Sequence, residues 1–130
     1  MELPAPHPEC AIHDVGHYVR VVLTGGSDRQ VYEYYQHLVM LTLRHSLTRL
    51  LIVGKGGGSP YAHLGARDAL IALHGVGVPA GFKIAFVPHT DPIRNGYRHA
   101  EIEAEKRGLR AKVFAEEEQA IAWLTNPDMH

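Results

Sequence analysis

The sequence predicts an α/β domain with a mixed, mainly parallel sheet of about five strands and four helices, opened by an antiparallel hairpin. Three observations carry this. The run Leu50, Leu51, Ile52, Val53 is short, continuously apolar and closed by Gly54, which describes a strand buried on both faces. A second such run, Phe82 to Val87, follows after a helix-length segment. Stretches with apolar residues at helical spacing alternate with the strand-like runs, in the order β, β, α, β, α, β, α, β, α. That alternation favours a layered α/β fold.

Met1 to Glu9 holds three prolines and reads as an arm that frays or orders late. Cys10 to His13 and Tyr18 to Leu23 flank Asp14, Val15 and Gly16, a hairpin turn, and the second run is rich in β-branched residues. Gly25 and Gly26 end it. Ser27 with Gln30 three positions on is a capping-box pattern, so a helix should begin at Asp28. Val31, Tyr34, Tyr35, Leu38, Leu41 and Thr42 form its core face, while Met40 and Leu43 fall on the other side with Glu33, Gln36 and Arg44.

After the central strand, Gly54, Gly56, Gly57 and Gly58 turn the chain. Ser59 and Pro60 mark a helix start, with a capping hydroxyl and a proline at the first helical position. Ala62, Ala66, Ala69, Leu70 and Leu73 make one face of that helix, and Gly75, Gly77, Pro79 and Gly81 end it. Asp91 should cap the next helix ahead of Pro92, with Ile93, Tyr97, Ala100 and Ala104 inward and Gly108 as the stop. Leu109 to Phe114 is a last strand. Glu116 to Leu124 is a last helix with Ala120, Ile121 and Leu124 inward; Glu116, Glu117 and Glu118 suit the positive end of its dipole.

At 130 residues there is room for one core, and 45% apolar content is ordinary for a globular chain. The organisation expected is an arm over 1–9, one domain over 10–125 and a tail over 126–130. Thirteen basic and fourteen acidic residues leave a net charge of -1 without a single-sign block, which disfavours nucleic-acid or membrane-surface binding driven by charge. No apolar stretch approaches the roughly 20 residues of a spanning helix, and the start MELPAPHPE lacks the basic and apolar regions of a signal peptide. With Cys10 as the one cysteine no internal disulfide forms, and a cytoplasmic protein is expected.

The strand YVRVVLTG, the helix from Asp28, the strand LLIVG with its loop and Gly65-Ala66-Arg67-Asp68-Ala69-Leu70, the strand FKIAFV and the tail RGLRAKVFAEEEQAIAWL resemble, in that order, the STAS domains of anti-sigma-factor antagonists. The tail, with Gly108, Phe114, Glu118, Ala120, Trp123 and Leu124, is similar to the end of the SpoIIAA-like branch. The resemblance spans about residues 10 to 125 and implies a bacterial regulatory domain that works through protein contacts. It departs at the motif whose serine is phosphorylated in such antagonists. With Gly65 on the motif glycine, the preceding residues are Ala62, His63 and Leu64, and Lys55 stands where an aspartate is usual. A kinase-controlled switch is therefore not expected, although Ser59 lies nearby.

The loop Gly54 to Ser59 combines free amides, a lysine and a helix start, a combination that can hold an anion. It is not a Walker A loop, because Lys55 precedes the glycines. Lys55, Gly56, Gly57, Gly58, Ser59 and His63 are the candidate ligand or partner loop, and Gly25-Gly26-Ser27 should open a second helix at the same sheet edge. Met40 and Leu43 are a candidate interaction surface, with a homodimer as one use of it. Cys10, His13 and His17 straddle a turn and lack a fourth ligand, so the ten histidines give no metal site. Cys10 lies in a strand rather than a strand-to-helix loop, and Ser59 lacks a nucleophile elbow. No catalytic residue and no cofactor are expected. The leading reading is a non-enzymatic regulatory domain with an unidentified protein partner. The alternative is a carrier or sensor of a small anionic or apolar, lipid-like ligand, since STAS-like domains are similar to lipid carriers of the CRAL-TRIO class.

Overall fold

The computed structural model describes residues 1–56 and 63–126. Five strands, β1 (Cys10–Asp14), β2 (Val19–Leu23), β3 (Arg49–Gly54), β4 (Lys83–Pro88) and β5 (Arg110–Val113), lie side by side in chain order. β1 and β2 pair antiparallel as a hairpin, and β2, β3, β4 and β5 are all parallel. The predicted mixed, mainly parallel sheet is the sheet observed.

The helices are α1 (Asp28–His45), α2 (His63–Val76), α3 (Asp91–Lys106) and α4 (Glu117–Thr125). Three successive crossovers that advance in one direction put α1, α2 and α3 on one face of the sheet. There Val21, Leu50, Ile52, Ile84 and Phe86 pack with Tyr34, Leu38, Leu70 and Tyr97. The strands alternate, so Val22, Leu51, Val53, Ala85 and Val87 face the other side, where α4 covers them with Ala120, Trp123 and Leu124 and Tyr18 and Phe114 pack beside it. β3 is buried along nearly its whole length, as its unbroken apolar run requires.

Local chemistry explains most boundaries. Ser27 caps α1: its hydroxyl accepts from the Gln30 amide at 3.2 Å and its own amide donates to Gln30 Oε1 at 2.8 Å, a complete capping box. The buried residues of α1 are Val31, Tyr34, Tyr35, Leu38, Leu41 and Thr42, the predicted core face. The hydroxyl of Thr42 escapes unpaired burial by donating to the Leu38 carbonyl at 2.7 Å.

Four details differ from expectation. The cap of α3 is Thr90 rather than Asp91, and it makes no side-chain capping bond; Asp91 is already helical and accepts from Arg94 one turn on, at 2.5 Å. In α4, Trp123 is buried and Ile121 only half-buried, because Trp123 packs on Phe114 with ring centroids 5.6 Å apart. Glu116 is the residue preceding α4 rather than part of its first turn. The arm over 1–9 is not frayed: the Leu3 amide donates to the Ile12 carbonyl at 2.9 Å and the Asp14 amide to the Met1 carbonyl at 2.8 Å, so the arm runs along the edge of β1. The predicted helix start at Ser59 and Pro60, and residues 127–130 of the predicted tail, lie outside the described residues.

Candidate functional site

Parallel pairing of β2 and β3 brings their C-terminal ends to one edge, which is where the two glycine segments were expected to meet. The contact is made by the residues just before the first of them. The amides of Lys55 and Gly56 both donate to the Leu23 carbonyl, at 2.8 and 3.3 Å. A side chain at Gly56 would sit 2.9 Å from the Thr24 carbonyl oxygen, so glycine is what allows this approach. The end of β4 joins the same edge, since the His89 amide donates to the Gly54 carbonyl at 2.8 Å. Thr24 to Ser27, Lys55 and Gly56, and His89 to Asp91 thus form one rim, with the exposed side chains of Lys55 and His89 on it. Gly57, Gly58 and Ser59 lie outside the described residues; His63 opens α2, and its side chain is outside them too.

Beside this rim the first turns of α1 and α2 enclose an open groove of about 630 Å³, lined by Asp28, Tyr32, Glu33, Gln36, Leu64 and Gly65. Its geometry depends on Gly65, where a Cβ would meet Tyr32 Cα and Tyr35 Cδ2 at 3.0 Å each. The missing side chain lets α2 lie close on α1. The Tyr32 hydroxyl then donates to Asp68 Oδ2 at 3.0 Å, and that carboxylate raises the tyrosine's pKa. Tyr32 is thereby set apart from Tyr34 and Tyr35, which are buried. The burial of Tyr34 and Tyr35 is the predicted one.

Met40 and Leu43 are exposed, at 59% and 39%, on α1. They do not belong to the rim: twelve residues separate Asp28 from Met40, about 18 Å along the axis at the ordinary helical rise. The two candidate surfaces are distinct.

The interior bears on the carrier reading. The apolar space between α1, α2 and the sheet, lined by Tyr35, Leu38, Ala66, Leu70, Ile84 and Phe86 among others, measures about 10 Å³. That is about the room a single water needs, against the roughly 300 Å³ or more of a ligand pocket. The small alanine side chains bring α2 onto the sheet instead of leaving space beneath it. Among the described residues no three histidine, cysteine or acidic side chains come together as a metal site. No described helix is long and apolar enough to cross a membrane.

Titratable groups with displaced pKa values are mostly structural. Burial raises the Cys10 thiol to about 11 and the Tyr97 hydroxyl to about 12. Tyr35 is held well above its ordinary value by burial and by Tyr97, to whose hydroxyl oxygen its own hydroxyl donates at 3.2 Å. A thiol kept neutral in this way is a poor nucleophile at physiological pH.

A set of charged residues escaped the sequence reading. Arg20 on β2 makes a two-bond pair with Glu117, Nε to Oε1 at 2.8 Å and Nη2 to Oε2 at 3.1 Å. This bond lowers the Glu117 pKa, with smaller contributions from Lys55 and His89, which places the start of α4 in the field of the rim. At the other end of α4, Lys83 Nζ donates to the carbonyls of Trp123 at 2.7 Å and Asn126 at 2.8 Å, and Arg49 Nε donates to that of Leu124. Acid at its start and cations at its end suit the helix dipole. One signal was available: a lysine inside the otherwise apolar strand FKIAFV must find acceptors if that strand is buried.

No family model matches the chain, and no curated protein matches it. Among solved structures it is similar to an uncharacterised protein of the DUF3478 family, with a SpoIIAA-like fold, from Shewanella loihica PV-4. The identity is 18% and the TM-score 0.55, over 88% of this chain and 91% of that one. Together with the strand order and the four helices, this likeness shows that the chain has a SpoIIAA-like fold.

Proposed function

We propose that this protein is a non-enzymatic regulatory domain of the bacterial cytoplasm that acts by binding another protein at the sheet edge around Lys55 and Gly56. The observation that carries the reading is the joining of the β2, β3 and β4 ends into one rim, with Lys55 and His89 exposed beside a groove of about 630 Å³. An edge built from backbone held at fixed distances, with adaptable charged side chains and an open groove, suits recognition of a protein surface. Met40 and Leu43 form a second, separate contact surface. Among the described residues, the space of about 10 Å³ between α1, α2 and the sheet supports protein contact over carriage of an apolar ligand there.

The test is affinity capture from the source cell followed by cross-linking and mass spectrometry, with the unmodified chain and with Lys55→Glu, His89→Glu and Met40→Ser/Leu43→Ser variants. Cross-links from the rim, and loss of the captured protein in the Lys55 and His89 variants, are expected. A captured set unchanged in all variants would remove both surfaces from consideration. A stoichiometric small-molecule adduct in native mass spectra would instead establish the carrier reading.

A further inference from the structure

β1 is an edge strand, and the bonds it makes show which of its backbone groups face outward. The Cys10 amide donates to the His7 carbonyl at 3.0 Å, the Ile12 carbonyl accepts from Leu3, and the Asp14 amide donates to the Met1 carbonyl. The Asp14 carbonyl also accepts from the terminal ammonium at 2.9 Å. The groups of Cys10, Ile12 and Asp14 therefore point away from β2, and residues 1–8 cover them. An uncovered edge of this kind is a template for another strand.

The backbone pairing of this cover is short. Pro4, Pro6 and Pro8 have no amide hydrogen, so regular pairing stops at Leu3. The other ties are side-chain contacts: His13 Nε2 lies 3.7 Å from Glu2 Oε1, His37 Nε2 donates to the Pro4 carbonyl at 2.7 Å, and the His7 ring pairs with Gln30 Nε2 at 3.2 Å and lies 5.9 Å from the Tyr34 ring. Leu3 is the arm's apolar anchor, half-buried against the core. Between arm and strand lies an open space of about 420 Å³.

We propose that residues 1–8 are a strap that blocks β1 from pairing with β1 of a second copy, and that releasing it joins two sheets into one. The occupant follows from the register. The outward groups at Cys10, Ile12 and Asp14 are spaced evenly about Ile12, so a two-fold axis there sets Ile12 opposite Ile12, Cys10 opposite Asp14 and Ala11 opposite His13. No like charges face each other in this pairing. The contact is isologous and closes at two copies. α4 lies over β3 and β4, which leaves the β1 end of that face open to approach, with Ala11 and His13 half-buried.

Sedimentation velocity with amide hydrogen exchange tests this on the full chain and on a chain lacking residues 1–8. The full chain is expected to be monomeric. The shortened chain should dimerise at least tenfold more tightly, with exchange at Cys10, Ile12 and Asp14 slowed in the dimer. That dimer should survive Met40→Ser/Leu43→Ser and be lost in Ala11→Lys/His13→Lys, which sets lysines opposite one another. A folded monomer after truncation, a dimer indifferent to the two lysines, or equal dimerisation of the full chain would each overturn the proposal. If the shortened chain does not fold, Leu3→Ser/His37→Ala releases the strap within the full chain. A monomer in which the Asp14 amide exchanges fast would then overturn it as well.

Discussion

The ammonium of Lys83 donates to the Trp123 carbonyl at 2.7 Å and stands 4.9 Å from the centroid of the same residue's indole ring. Lys83 is fully buried, at 0% exposure, and these contacts together with the bond to the Asn126 carbonyl explain how β4, flanked by β3 and β5, tolerates a cation. Burial lowers its pKa, and repulsion from Arg110, Arg49 and Lys112 adds to the effect. The bonds to Trp123 and Asn126 act in the opposite sense, holding the charge and the end of α4 together.

Replacing Lys83 by Met keeps most of the volume and removes the donor, leaving the Trp123 and Asn126 carbonyls short of a partner. A loss of about 1–3 kcal/mol is expected, the ordinary cost of an unsatisfied buried polar group. Urea unfolding followed by fluorescence of the single tryptophan measures it. A Lys83→Met variant as stable as the parent would show that the bonds to α4 contribute nothing net.

The Arg20 pair with Glu117 makes stability depend on pH in a definite direction. Hydrogen bonding to Arg20 holds the Glu117 carboxyl below its ordinary value of 4.5 in the folded chain. The unfolded chain therefore takes up the proton first as pH falls. The stabilisation is full above about pH 4.5 and disappears as pH drops through the lower folded value. Both side chains are 30% exposed, so solvent screening keeps the increment to about 1 kcal/mol or less. The stability difference between the parent and Arg20→Met, measured by urea titration, should be present at pH 7 and shrink progressively as pH falls below about 4.5.

Two glycines should respond in opposite ways to alanine. At Gly54 a Cβ would sit 2.6 Å from the Tyr97 hydroxyl and 2.9 Å from Ile93 Cγ2, both held in the packed interface of α3 with the sheet. Gly54→Ala should cost about 1–3 kcal/mol by overpacking. At Gly75, within α2, a Cβ meets nothing within 4 Å. Gly75→Ala should add roughly 0.5–1 kcal/mol through helix propensity. Thermal unfolding of the two variants beside the parent checks both signs.

The legible parts were those governed by local rules. The capping box at Ser27 and the six core positions of α1 followed from side-chain chemistry and the 3.6-residue period, and the structure has the same residues in those roles. At the candidate site, the shared edge of the β2 and β3 ends was legible too, because parallel strands end on the same side. The clamp on α4 was not. Arg20 and Glu117 are 97 residues apart in the chain, and Lys83 and Trp123 are 40 apart, so neither pair leaves a mark on local periodicity.

Turn residues, caps and spacing within a few residues specify the list of elements, their alternation and the core face of α1. The long-range packing sets the arm along β1, lays α4 over the second face of the sheet, and brings the end of β4 to the rim. The physical reason is the same in each case: backbone pairing and charge contacts are made between segments far apart in the chain, and their partners are chosen by the packed geometry.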